Sequence, residues 1–163
     1  MYSWEKNVRI VEPYVPGEQP KDKDVIKLNT NENPYPPSPR VVNASLELER
    51  LRIYPDPEAM ELVEAIADYH GLNNNQVFVG VGSDDVLAMS FLTFFNSKKP
   101  VLFPDITYSF YPVWCELFGI PYECRYLDDN FRVRAGDYSG DNGGIVIANP
   151  NAPTGIELPL SGI

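Results

Sequence analysis

Gly144-Ile145-Val146-Ile147-Ala148-Asn149-Pro150-Asn151-Ala152-Pro153-Thr154-Gly155 is an apolar run that stops in a turn rich in proline and asparagine. Ile145-Val146-Ile147 reads as a strand buried in a parallel sheet, and the Pro, Asn and Gly that follow force a tight turn at its carboxyl end. Ligands of open α/β folds sit at that end of the sheet. An ordinary Asn/Pro turn uses the same residue types, so the stretch speaks first to architecture.

Working upstream, residues 76–81, 100–103 and 121–127 have strand character, while residues 83–95 and a segment ending near Phe118 read as helices. Residues 128–143 are polar and glycine-rich, a surface connection. Strand, helix, strand, loop and strand with parallel-type connections predict an α/β layer architecture. Further back, Met60, Val63, Ile66, Ala67 and Tyr69 give one face of a helix over residues 58–70, with Gly71 where a C-terminal cap belongs. A weaker helical stripe covers residues 41–52. The first forty residues lack periodicity, and Pro34, Pro36, Pro37 and Pro39 predict an extended arm.

Composition narrows the function classes. The chain has 163 residues, 44% of them hydrophobic, enough to bury a core as one domain or a piece of a larger one. A net charge of −10 argues against a nucleic-acid backbone or an anionic membrane as partner, so an anionic ligand must be held by local donors. Cys115 and Cys124 have no metal-ligand or redox spacing and read as reduced, buried thiols of a cytoplasmic protein. No metal site is expected. No run reaches membrane-spanning length, and the first residues lack a signal-peptide pattern. His70, the only histidine, closes a helix and is assigned no catalytic role.

The chemistry concentrates in Gln76-Val77-Phe78-Val79-Gly80-Val81-Gly82-Ser83-Asp84-Asp85. A short strand, glycines, and a helix opening at Ser83 point unpaired backbone N–H groups at an anion, with phosphate the natural guest. The stretch is neither a dinucleotide fingerprint nor a Walker loop. Alternatively, Ser83 is an N-cap, with Asp84 and Asp85 favourable to the helix dipole. If phosphate binds, the two carboxylates must point elsewhere or contact a cation. Tyr108, at a strand-to-helix junction, is either core or a flat face for a planar cofactor.

Leu28-Asn29-Thr30-Asn31-Glu32-Asn33-Pro34, Tyr54-Pro55-Asp56, Gly82-Ser83-Asp84-Asp85, Thr107-Tyr108 and the turn over residues 149–155 occur in the order seen in histidinol-phosphate aminotransferases, and the chain resembles that family over essentially its whole length. The resemblance implies a fold-type I transferase dependent on pyridoxal 5′-phosphate. It implies an N-terminal arm and small-domain segment over residues 1–45 and an incomplete cofactor-binding large domain, with the first half of its mostly parallel sheet, over residues 46–163. Gly82, Ser83 and Asp84 then match the loop that holds the cofactor phosphate through backbone amides. Tyr108 matches the residue stacked on the pyridine ring, and Tyr54 one that reaches the partner subunit's cofactor in a homodimer. Asn31, Glu32 and Asn33 match the substrate entrance. The asparagine that usually bonds the cofactor's phenolic oxygen is Ala152 here, so either Asn151 takes over that contact or a group outside this chain holds the oxygen.

The implied reaction moves an amino group between histidinol phosphate or imidazole-acetol phosphate and glutamate or 2-oxoglutarate, in L-histidine biosynthesis. An aromatic aminotransferase, a threonine-phosphate decarboxylase and a naturally shortened inactive product are the alternatives. The family's Schiff-base lysine lies downstream of the Pro-Thr-Gly turn. Lys6, Lys21, Lys23, Lys27, Lys98 and Lys99 all precede it, so this chain alone is expected to be inactive and to contain no catalytic residue. The strand at residues 77–81 should lack ladder partners that the family takes from later strands, leaving the isolated chain prone to aggregate or only partly ordered.

Overall fold

The computed structural model describes residues 5–21, 24–43 and 48–163, which form two compact units. One comprises residues 15–79, and the other residues 80–163 with the N-terminal segment up to Tyr14.

The second unit is built on a three-stranded parallel sheet of β1 (Val101–Pro104), β2 (Tyr122–Arg125) and β3 (Gly144–Ile145), in the order β2-β1-β3. Central β1 is buried at every position, as expected of an apolar strand covered on both faces. Its register sets Phe103 opposite Cys124, and Leu102 opposite Ile145. Helices α3 (Ser83–Phe94) and α4 (Phe110–Phe118) complete the unit. Phe91 of α3 and Tyr111 and Cys115 of α4 join Val101, Phe103 and Ile120 in one core. Phe103 and Tyr122 stack there with centroids 5.3 Å apart. The N-terminal segment is tied on by Arg9, which donates to the Leu117 carbonyl, and by Tyr14, stacked on Phe110 at 4.3 Å.

The other unit carries α1 (Pro39–Val42), a 3-10 turn at Leu48–Arg52, α2 (Met60–His70) and a 3-10 turn at Asn74–Gln76. Helix α2 buries Val63 and Ala67, and Gly71 at φ 66° ends it by donating its N–H to the Ala67 and Asp68 carbonyls.

Three expectations are corrected. Residues 77–81 join no ladder among the described residues, as expected, whereas the strand expected to be buried over Ile145-Val146-Ile147 is only Gly144–Ile145, with Ile145 exposed, because β3 lies at the edge of the sheet. Of the helix expected over residues 41–52, residues 41–42 close the single turn α1 and residues 48–52 form a 3-10 rather than an α-helical turn, with residues 44–47 outside those described. Cys115 is a buried free thiol as expected, but Cys124, on the edge strand β2, is exposed. Burial pushes the Cys115 thiol up to about 12, where it stays protonated. Among the described residues there is no helix long and apolar enough to cross a membrane and no His/Cys/Asp/Glu group that could hold a metal.

Candidate functional site

Three loops converge beyond the carboxyl ends of β1 and β3, where open α/β sheets bind ligands. The first leads into α3. Gly82, rather than Ser83, is the N-cap, and its φ of 88° is one that a side chain would strain. The helix ladder begins with the Val86 N–H donating to the Gly82 carbonyl at 3.3 Å, so the N–H groups of Ser83, Asp84 and Asp85 lie outside it. Gly80 lets the incoming chain lie close to the helix, since a Cβ there would stand 2.8 Å from Val86 Cγ2.

Both carboxylates of that first turn have destinations. Asp84 Oδ1 accepts the Tyr108 hydroxyl at 2.5 Å, and Asp85 Oδ2 accepts the Val81 N–H at 3.3 Å. Each side chain thus has a hydrogen-bond partner within the protein. Partial burial, and then the Asp84 bond, hold the Tyr108 hydroxyl well above the ordinary phenol range, so it remains a donor. Its ring stands edge-on to Tyr111 at 5.7 Å and tilted on Phe110 at 5.8 Å. Tyr108 is thereby both part of the packing around the core and an aromatic surface beside the α3 terminus.

Asn151 anchors the third loop and is only 3% exposed. Its amide donates to the Ile106 carbonyl at 2.9 Å and to Thr154 Oγ1 at 3.2 Å, and its carbonyl oxygen accepts the Thr107 hydroxyl at 2.8 Å. Both amide hydrogens are therefore engaged within the protein. The loop closes on itself through Asn151 N–H to Ile156 O at 2.9 Å and Gly155 N–H to Asn151 O at 2.7 Å. Asn149 completes it with reciprocal 2.9 Å bonds to the Leu158 backbone. Ala152 supplies no polar atom to this arrangement beyond its backbone.

Gly82, Ser83, Asp84, Tyr108 and Asn151 thus lie in one connected set of loops. The remaining expected residues belong to the other unit. Lys27 pairs with Glu32, holding its carboxyl below the usual carboxylate range, and Asn33 Oδ1 accepts the Tyr35 N–H at 3.0 Å. Asn31 has a left-handed φ of 52°, and Tyr54 is 99% exposed. Residue-by-residue reading missed Thr107, Thr154 and Asn149, whose roles are set by contacts with distant segments. It also missed Asp56, whose carboxylate accepts the Glu58 and Met60 N–H groups at 3.1 and 2.9 Å ahead of α2. A signal for Asp56 was present: an Asp four residues before a helical stripe is a capping residue type.

Residues 23–163 match the sequence profile described as "Aminotransferase class I and II", a family whose members generally use pyridoxal phosphate. The histidinol-phosphate aminotransferase of Lactococcus lactis subsp. lactis is 55% identical over 163 residues, 99% of this chain and 45% of that protein. Histidinol-phosphate aminotransferase 1 of Hydrogenovibrio crunogenus is 56% identical over 162 residues, 98% of this chain and 46% of that protein. The chain therefore spans about half the length of the curated relatives it matches. A crystal structure from Erwinia carotovora atroseptica, of a protein provisionally named a histidinol-phosphate aminotransferase, superposes with a TM-score of 0.68. It is 22% identical and covers 83% of this chain and 41% of its own, a likeness of fold.

Proposed function

The chain belongs to the aminotransferase class I and II family, and we propose that it is the part of a cytoplasmic histidinol-phosphate aminotransferase that seats the cofactor phosphate. The observation that carries this reading is the α3 terminus: free N–H groups of Ser83 and Asp84, with both nearby carboxylates bonded elsewhere and an aromatic ring alongside. That donor set fits pyridoxal 5′-phosphate, which needs an anion cradle and a flat apolar neighbour. When bound, the cofactor supplies an electron sink for a carbanion next to the substrate nitrogen.

The residues of this chain bind and orient. Backbone amides at Gly82, Ser83 and Asp84 hold the phosphate, Tyr108 offers its ring to the pyridine, and Asn151 keeps the loops on either side of that ring in register. The amino group passes between histidinol phosphate or imidazole-acetol phosphate and glutamate or 2-oxoglutarate. Residues 1–45 serve as the arm and residues 46–163 as part of the large domain. In a homodimer, Tyr54 meets the cofactor phosphate of the second subunit, and Asn31, Glu32 and Asn33 meet substrate; their exposure supports contacts made outside their own unit.

The test uses the polypeptide as its own cells produce it, supplied with pyridoxal phosphate, histidinol phosphate and 2-oxoglutarate. Glutamate should form at a rate that follows histidinol phosphate. Formation of glutamate only with aromatic amino acids, or release of carbon dioxide from threonine phosphate, would replace the substrate assignment. No turnover with any of these would refute the enzyme reading.

A further inference from the structure

We propose that Asp84 is a positioning residue: by accepting the Tyr108 hydroxyl hydrogen, its carboxylate fixes the aromatic ring beside the anion-facing first turn of α3. The proposal rests on the pyridoxal-phosphate reading of the site. A carboxylate in the turn that receives a phosphate opposes binding through like-charge repulsion, so its presence there calls for an offsetting role. A helix-dipole role would be met with the side chain in solvent. Instead, Asp84 Oδ1 lies 2.5 Å from the hydroxyl of a residue 24 positions away.

The ring is consequently held at both ends. At its backbone end, Asn151 grips the Ile106 carbonyl and the Thr107 hydroxyl at 2.9 and 2.8 Å. At its tip, the Asp84 bond sets the hydroxyl. Asp84 joins two proposed cofactor contacts in one residue, its N–H facing the phosphate and its side chain holding the ring. Asp85 does not share this role, because its carboxylate turns back to the Val81 N–H. A ring set before the cofactor arrives avoids an ordering cost on binding.

Repulsion and positioning predict opposite signs. Pyridoxal phosphate affinity and visible circular dichroism would be measured in the full polypeptide for the parent, Asp84→Ala, Asp84→Asn, Tyr108→Phe and the Asp84→Ala/Tyr108→Phe double variant. Positioning predicts that Asp84→Ala binds roughly five- to thirty-fold more weakly, the scale of a hydrogen bond to a charged group. Asp84→Asn, which keeps an acceptor oxygen, should restore most of the affinity. In the Tyr108→Phe background, Asp84→Ala should no longer weaken binding. Tyr108→Phe keeps the ring and loses only the hydroxyl, so its own weakening tests the proposal even where Asp84→Ala fails to fold. Unchanged or tighter binding by Asp84→Ala or Tyr108→Phe, or an undiminished Asp84→Ala loss in the Phe background, would overturn the proposal alone. A parent protein that does not take up pyridoxal phosphate would overturn the cofactor reading, and the proposal with it.

Discussion

Asn151, in the turn after β3, is buried and joins its amide to Ile106, Thr107 and Thr154, whereas Asn33, in the proline-rich arm, is exposed and bonds only to the backbone of Tyr35. The same residue type, each time beside a proline, satisfies itself at long range in one region and locally in the other. The strand-end loops fix their own geometry through bonds that span 24 to 45 positions. Around Asn33 the arm is set by near neighbours in sequence, with Lys27 paired to Glu32 and Asn33 bonded to the Tyr35 N–H. A cofactor cradle needs the first kind of construction, and an entrance or an intersubunit contact can use the second.

The largest expected contrast lies between the core under the loops and the exposed Tyr-Pro-Asp turn. Phe103, 1% exposed and packed against Tyr111 and Tyr122, should cost about 3–5 kcal/mol of stability as Phe103→Ala, from lost burial and a residual cavity. Tyr54→Ala, at 99% exposure, should stay within about 0.5 kcal/mol. Denaturant unfolding of the protein as its cells produce it measures both. Similar costs for the two would break the distinction between the regions.

A finer contrast uses the two asparagines. Asn151→Ala leaves the Thr107 hydroxyl and the Ile106 carbonyl without their partner in a buried setting, and should cost about 1–3 kcal/mol. Asn33→Ala leaves only a solvent-accessible Tyr35 N–H, and should cost less than about 0.5 kcal/mol. Faster amide exchange across residues 106–108 in Asn151→Ala, with none around residue 35 in Asn33→Ala, would locate the effect. Equal exchange in the two variants would mean that the strand-end network does not carry the stability assigned to it.

The legible part of this molecule is the part that local rules decide. The apolar run at residues 100–103 marked β1, the stripe of α2 marked its inner face, and Gly71 marked its end. The helix opening after Gly82 was visible from glycines followed by Ser-Asp-Asp. What local rules cannot decide is adjacency. The destinations of Asp84 and Thr107 depend on loops 24 and 44 positions away, so neither bond has a spacing signature. Residues 77–81 lack a ladder, as expected, for the same reason: β-branched residues favour extension, but a ladder also needs a neighbour.

Asp56 gives the smallest and most local test. Its oxygens accept the Glu58 and Met60 N–H groups, and these bonds, Met60 first, hold its carboxyl below the ordinary aspartate value of 3.8. A carboxyl lowered on folding stabilises the folded form fully above its unfolded-state value, and that contribution is lost as pH falls through the lower folded-state value. The amide signals of Glu58 and Met60 should therefore titrate together with a midpoint below 3.8, and the start of α2 should fray in the same acid window. Asp56→Asn should abolish that titration while retaining an acceptor oxygen. Because hydrogen bonds to adjacent backbone, not distant charges, set the midpoint of the exposed Asp56, added salt should move it only slightly. A midpoint at or above 3.8 would show that the Tyr-Pro-Asp turn does not cap α2.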